Sequence, residues 1–406
     1  MEVLPASVRR NRKMNKPCTR RQTKIEAPAR VTYELRPMIK KEKPALKFFR
    51  KYATGMLQTL NLSVASDGIL QLLHDSCTKL EVLTIGCGFE HREFLPVPGV
   101  RTVDLSLMPP SIVRLKIQSG WGERGRIVPP NTLEGLAKHP LPKLRELVLE
   151  RHVAFSAALF RRLSLCTRLR KLCLISFERV NDLSPIAKRL IDLEELTLQS
   201  CIRETATTKK VLQQIAGNMQ NLTRIKLRAG PTQPDEFRSI DASIGSLSCC
   251  KKLKRVWIEN IQSFSVHGFT RLAKGLPHLQ EVTLVDCEEI DDGVLEVIRS
   301  DLRNLKVLQL ERLPRLTDFG MKLLLNHPSL EHLEVVGKLQ TTRVFPTPKI
   351  ICDIAGSMDK LAVLKVLITG HPPTDIMKPH FKELHDMCPN LSVTVWLRPD
   401  VTVDFF

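Results

Sequence analysis

The chain lacks the sequence features that mark several large classes of protein. No run of about 18 apolar residues occurs in its 406 residues, which argues against a transmembrane helix. No apolar segment follows Met1, which argues against a secretory signal peptide. The C-x-x-C, H-E-x-x-H, P-loop and nucleophile-elbow motifs are absent. The sequence therefore predicts no metal site, no cofactor and no enzyme activity.

The cysteines do not follow the pattern of a disulfide framework. There are eleven, an odd number at irregular spacing, which is typical of reduced thiols inside the cell. We therefore expect a cytoplasmic and/or nuclear protein without a membrane partner. Six of the thiols lie at recurring positions of the repeat described below, which predicts buried structural thiols: Cys77, Cys166, Cys201, Cys250, Cys287 and Cys388.

Acidic residues are scarce at the start of the chain. The protein has 62 Lys and Arg against 43 Asp and Glu, a net charge of +19. Residues 1–51 hold 16 basic and 4 acidic residues, so most of the excess lies there. The basic run at 9–24 is compatible with a solvated leader, a nuclear localisation signal, a nucleic-acid-binding arm or a mitochondrial presequence. No aromatic residue precedes Tyr33 to stack on bases, which disfavours a nucleic-acid partner.

One pattern, L-x-x-L-x-L, recurs along most of the chain. Copies begin 24 to 31 residues apart at nine first leucines: Leu144, Leu169, Leu193, Leu222, Leu253, Leu279, Leu305, Leu330 and Leu361. An earlier copy begins at Leu80 and a degraded one at Leu391. The L-x-L part has the period of a strand, and the segments between copies have helical spacing. A strand and a helix bury their apolar faces only by stacking on neighbouring units.

The repeat predicts an α/β fold, namely a leucine-rich-repeat solenoid. We expect a ribonuclease-inhibitor-like horseshoe with parallel strands on its concave side and helices on its convex side. The predicted divisions are a basic, disordered leader (1–51), irregular N-terminal repeats (52–131), the solenoid (132–396) and a C-terminal capping tail (397–406). Trp396, Phe405 and Phe406 are expected to cover the open end of the solenoid or to reach towards a bound partner.

Two copies carry a finer signature after the strand, CEEIDDG from Cys287 and LPRLTDFGMKLL from Leu313. Here Asp291 or Asp292, and Asp318, are predicted to cap the next helix. This signature resembles the cysteine-containing leucine-rich repeat of F-box/leucine-rich-repeat proteins. From about Arg36 onwards the chain resembles the number-twelve type of that family, through LRPMIKKEKPALKFFRKYATGMLQTLNL, SLMPPSIVRLKIQSG, LPKLRELVLERHVAFSAALFRRL and TPKIICDIAGSMDKLAVLKVL.

The resemblance implies a function in ubiquitin ligation. Such proteins are substrate receptors of SCF-type cullin ubiquitin ligases, in which the F-box binds a Skp-type adaptor and the repeats hold the protein to be ubiquitinated. An F-box is expected where residues 1–51 lie. Leu4-Pro5-Ala6-Ser7-Val8 resembles its opening, but the basic run follows directly. The alternative is a leucine-rich-repeat scaffold that lacks an F-box and does not recruit a ligase.

The concave strand positions predict where a protein substrate would bind. Most of them carry mixed charges, but two adjacent repeats combine a cationic row with a tryptophan. Tryptophan and arginine are the usual composition of binding hot spots. The predicted site consists of Arg224, Lys226, Arg228, Arg255, Trp257, Glu259 and Thr283. The hypothesis is that an acidic, partly apolar partner segment docks there; the alternative is that a loop or the leader covers Trp257.

Overall fold

The fold was described from a computed structural model of the chain. The structure describes residues 32–34, 46–47, 49–50, 55–62, 66–86, 105–118, 141–150, 160–161, 163–175, 182–202, 206–230, 239–338, 345–369, 392–398 and 401–405. The chain divides into two compact units, Met1–Arg30 and Val31–Phe406, and every described residue belongs to the second.

In the described part of the chain, fifteen strands form a single sheet in which spatial order follows chain order. They are β1 (Thr32–Glu34), β2 (Thr59–Leu62), β3 (Val82–Gly86), β4 (Arg114–Gln118), β5 (Glu146–Glu150), β6 (Lys171–Ile175), β7 (Glu195–Ile202), β8 (Arg224–Ala229), β9 (Arg255–Glu259), β10 (Glu281–Val285), β11 (Val307–Glu311), β12 (His332–Lys338), β13 (Val363–Thr369), β14 (Ser392–Arg398) and β15 (Val401–Phe405).

Helices occupy the connections between strands. The described α-helices are α1 (Asp67–Ser76), α2 (Ser184–Arg189), α3 (Ala206–Asn218), α4 (Asp241–Gly245), α5 (Val266–Gly275), α6 (Gly293–Asp301), α7 (Asp318–Lys322) and α8 (Pro348–Ser357). Short 3-10 helices lie at Leu105–Leu107 and Ser246–Cys249. Parallel strands need such long crossover connections.

The strand pairing confirms the predicted fold class. Strands β1 to β14 are all parallel to their neighbours, and β15 alone pairs antiparallel, with β14. The chain is an α/β leucine-rich-repeat solenoid. Its sheet begins at Thr32, inside the range for which a leader was predicted, because β1 pairs with β2. The antiparallel β15 lies in the segment predicted as a capping tail.

Alternation along each strand explains why the leucines recur. In β5, Leu147 and Leu149 are fully buried while Glu146, Val148 and Glu150 are partly exposed. The buried positions of successive strands and helices join one hydrophobic core. We call the other strand positions, which include the predicted site, the outward face.

The buried thiols confirm part of the cysteine prediction. Cys77, Cys166, Cys250 and Cys287 are buried in the core as reduced thiols. Burial raises the pKa of Cys166 to about 11 and that of Cys250, next to Cys249, to about 12. These thiols stay protonated and serve as small apolar side chains. The side chain of Cys201 and all of Cys388 lie outside the described residues.

The predicted helix caps are confirmed in part: Asp291 Oδ1 accepts a hydrogen bond from the backbone N–H of Gly293, the first residue of α6, at 2.9 Å. Thr317 caps α7 with its own hydroxyl, so Asp318 is not the cap. Asp292 instead reaches from the preceding repeat and accepts hydrogen bonds from the Thr317 backbone N–H, at 2.8 Å, and from its hydroxyl. Asp318 in turn accepts from the N–H of Thr347, the N-cap of α8. Each carboxylate thus ties one repeat to the start of the next helix.

Candidate interaction surface on strands β8 to β12

The register of β8, β9 and β10 brings the predicted site residues together. Three of the five register pairs between β8 and β9 are outward: Arg224 lies beside Arg255, Lys226 beside Trp257, and Arg228 beside Glu259. On the far side of β9, Thr283 of β10 lies beside Trp257. Neighbouring strands are separated by about 4.8 Å, so the side chains form one continuous patch on the outward face.

Glu259 is the centre of this patch. Its carboxylate accepts a hydrogen bond from Trp257 Nε1 at 3.0 Å and lies 3.2 Å from Arg228 Nε and 3.7 Å from Lys226 Nζ. The Glu259 side chain is only 11% exposed. A carboxylate this buried needs such partners, because an unpaired buried charge is costly. Glu259 therefore neutralises part of the positive charge of Lys226 and Arg228.

Lys226 lies over the tryptophan ring. Its Nζ is 3.5 Å from the centroid of Trp257, a cation–π contact. Burial lowers the pKa of Lys226, and the Glu259 carboxylate offsets part of this shift because it favours the charged ammonium group. Trp257 is partly exposed, with one ring face occupied by Lys226 and its N–H held by Glu259. The indole is thus fixed in orientation before any partner arrives.

Arg255 and Arg224 are the cations of the patch that Glu259 does not hold. Arg255 lies between two carboxylates, 3.9 Å from Glu195 and 4.0 Å from Glu281, and its side chain is 39% exposed. Within the described part of the chain, Arg224 has no carboxylate within ion-pair distance. These long, solvated contacts hold Arg255 weakly, so both guanidinium groups are available to an incoming anion.

Thr283 has a supporting position. Its residue is 5% exposed, and its hydroxyl donates to Gln309 Oε1 at 2.8 Å. Gln309 Nε2 donates in turn to Glu334 Oε2 at 3.0 Å, and His332 Nε2 lies 3.7 Å from the same oxygen. The predicted site included Thr283 but not Gln309, Glu334 or His332. The signal was present in the repeat, since Thr283, Gln309 and Glu334 occupy the same strand position.

A polar cleft of about 430 Å³ lies beside the patch, in the loops that follow β9 to β12. Two arginines line it, and both are already paired. Arg312 makes two 2.7 Å contacts to Asp286, and Arg315 makes two 2.8 Å contacts to Glu289. Bidentate pairs of this kind are the strong form of the ion pair. The cleft therefore offers a partner less free charge than the patch does.

Among the residues that the structure describes, no group of three or more His, Cys, Asp or Glu side chains is placed to hold a metal ion. No helix in the same described ranges has the length and apolar character needed to cross a membrane.

Comparisons with known proteins give distant likenesses. No family model matches the chain. A stretch of 177 residues, 43% of the chain, is 27% identical to the Caenorhabditis elegans protein named "Putative RNA-binding protein EEED8.10" and spans only 23% of that protein. The solved "Crystal structure of Rad7 and Elc1 complex in yeast" is similar over 87% of each chain, at 16% identity and a TM-score of 0.44. Membership of the F-box/leucine-rich-repeat family therefore stays a prediction from the resemblance.

Proposed function

We propose that the chain is a protein-binding leucine-rich-repeat module that holds its partner at Arg224, Arg255 and Trp257. The observation that supports this most directly is the preorganised Trp257, partly exposed yet held by Lys226 and Glu259. A fixed aromatic side chain beside available guanidinium groups is the composition of a binding hot spot, because little side-chain entropy is lost when the partner docks.

The kind of partner group that we propose follows from how the cations of the patch are paired. Lys226 and Arg228 already share Glu259, so a partner carboxylate would meet Arg224 and Arg255 first. An apolar partner side chain would cover the part of Trp257 that Lys226 leaves open. An acidic, partly apolar partner segment is therefore proposed, as the sequence alone had indicated.

The finer proposal is that the module is the substrate receptor of an SCF-type cullin ubiquitin ligase. Its support is the resemblance to F-box/leucine-rich-repeat proteins together with the repeat fold. The alternative is a scaffold that binds its partner without recruiting a ligase. The two differ only in what residues 1–51 bind, namely a Skp-type adaptor or none.

Co-purification of the full chain with the Skp-type adaptor and cullin separates these two functions. A receptor recovers both proteins, and recovery falls when Leu4 and Pro5, which resemble the F-box opening, are both replaced by alanine. A chain that recovers neither adaptor nor cullin while it retains its partner is the scaffold.

The binding surface itself is tested by a pull-down from cells. We expect Trp257→Ala combined with Arg255→Glu to lose the partner. The matched control is Leu165→Ala combined with Arg168→Glu, which also truncates one exposed apolar side chain and reverses one exposed charge, but away from the outward face. Unchanged partner recovery by the folded double variant would refute the proposed surface.

RNA binding is a weaker candidate. The relative's name describes a protein of which the chain spans 23%. Two of the cations on the outward face, Lys226 and Arg228, already pair with Glu259, which leaves less positive charge for phosphates. Nuclease treatment during the pull-down would distinguish the two: a protein partner survives it, whereas a partner bridged by RNA is lost.

A further inference from the structure

The outward face changes sign across the sheet. Strands β8 and β9 carry four outward cations and one carboxylate, Glu259, which pairs with Lys226 and Arg228. On β10 to β12 the facing charges are carboxylates, chiefly Glu281, Glu311 and Glu334. Trp257 lies at the boundary between the two regions. A partner that covers the whole surface therefore meets positive charge at one end and negative charge at the other.

The acidic end is short of positive charge. Glu311 shares Arg312 with Asp286, and Arg312 lies closer to Asp286, at 2.7 Å, than to Glu311, at 3.4 Å. Glu334 has the neutral amide of Gln309 as its hydrogen-bond donor. Burial raises the pKa of Glu311; Arg312 lowers it, and the carboxylates of Glu334, Glu259 and Asp286 raise it. A cation placed here would find half-buried carboxylates that the protein neutralises only in part.

We propose that the partner segment is charge-polarised: an extended peptide with an acidic group seated at Arg224 and Arg255, an apolar side chain on Trp257 and a Lys or Arg at Glu311 and Glu334. This inference rests on the proposed function, since it concerns the same surface. It adds a second contact of opposite sign, and with it a fixed direction for the bound segment.

The geometry sets the length of that segment. Arg224 on β8 and Glu334 on β12 are four strand spacings of about 4.8 Å apart across the sheet and two register positions apart along the strands, which gives a separation of about 20 Å. An extended chain advances about 3.3 Å per residue, so roughly six residues separate the acidic group from the basic one. A reversed segment would place carboxylate against carboxylate at Glu334 and guanidinium against guanidinium at Arg224, and would be rejected.

A random-peptide phage library selected on the full chain tests the inference. We expect enriched peptides to carry acidic and basic residues about six positions apart, in one direction only. The enriched peptides, made synthetically, should lose at least about tenfold in affinity for Arg224→Glu/Arg255→Glu and for Glu311→Lys/Glu334→Lys. Inverting the charge of the matching peptide end should restore binding to each variant. The milder Glu334→Gln, expected to weaken binding less, covers the case in which the lysine variant fails to fold.

The outcomes separate this inference from the proposed function. Peptides that carry only acidic groups, and that are indifferent to Glu311 and Glu334, would overturn the polarised segment and leave the Trp257 surface intact. An absence of enriched peptides would also overturn it, while the cellular pull-down would still test the proposed function. Peptides that ignore Trp257→Ala and both charge-reversed variants would overturn the two together. Lys79→Glu/Arg168→Glu, on exposed turns, is the charge-matched control.

Discussion

Inward and outward positions of the same strands follow opposite rules. On β8 to β11, the inward residues are Leu, Ile or Val, apart from Ala229 at the end of β8, and are almost fully buried. The outward residues of these four strands include cations, a tryptophan, carboxylates, a threonine and an amide. The inward side is repeated because each unit must fill the same space against its neighbours. The outward side is free of this packing constraint, and it is the side to which we propose that the partner binds.

The comparison predicts that stability and binding can be altered separately. Substitutions of inward residues should unfold repeats and affect binding only through folding. Substitutions of outward residues should change recognition and leave the stack intact. The following changes test this division in order of decreasing effect on stability.

Leu284→Ala should have the largest effect. The side chain is fully buried in β10, and its truncation leaves a cavity in the continuous core. The free energy of unfolding should fall by about 2–5 kcal/mol, as measured by urea denaturation. Val307→Ala, at a partly exposed outward position of the next strand, is the control and should cost much less. Equal losses of unfolding free energy for Leu284→Ala and Val307→Ala would contradict the distinction between inward and outward positions.

Asp292→Ala should have a smaller but distinct effect. The substitution removes the carboxylate that accepts from the N–H and hydroxyl of Thr317, so the start of α7 loses its tie to the preceding repeat. We expect a loss of about 1–2 kcal/mol in thermal unfolding. Asp359→Ala, on an exposed turn, should leave the melting temperature unchanged. If Asp292→Ala and Asp359→Ala have the same melting temperature, the contact between Asp292 and Thr317 does not contribute to stability.

Acidification should weaken the fold through His327. This residue is 5% exposed, and burial lowers its pKa. The unfolded chain therefore binds the proton more readily than the folded chain. The stabilisation that depends on a neutral His327 is fully present above the ordinary histidine pKa of about 6.5. It is lost as the pH falls below that value, towards the lower pKa of the folded state. Urea titrations at several values between neutral and mildly acidic pH measure the slope of the free energy of unfolding against pH. His327→Leu should flatten it, and an unchanged slope would assign the effect to other groups.

Arg224→Ala should have the smallest effect on stability. Within the described ranges, Arg224 has no ion-pair partner, so its removal should change the free energy of unfolding by less than about 0.5 kcal/mol. The same variant should weaken partner binding in the pull-down. A large loss of stability would show that this outward position is structural and would contradict the distinction between inward and outward positions.

The inward side was predictable from the sequence, and the outward side only in part. The period of L-x-x-L-x-L is local, so Leu147 and Leu149 could be assigned to the core without knowledge of their neighbours. The register that places Lys226 beside Trp257 also followed from the repeat. The role of Glu259 did not, because its partners Lys226 and Arg228 lie about thirty residues earlier and their rotamers decide the contact. Asp292 was predicted to cap the helix that directly follows it, and its contact with Thr317 of the next repeat escaped prediction for the same reason.

The most direct test of the account is the affinity of the recovered partner for the wild type and for Trp257→Ala, measured on chains whose thermal unfolding coincides. The account predicts a loss of at least about tenfold, or about 1.4 kcal/mol, because a preorganised hot-spot side chain is removed while the inward core is untouched. An affinity equal to that of the wild type would contradict the claim that this part of the outward face holds the partner.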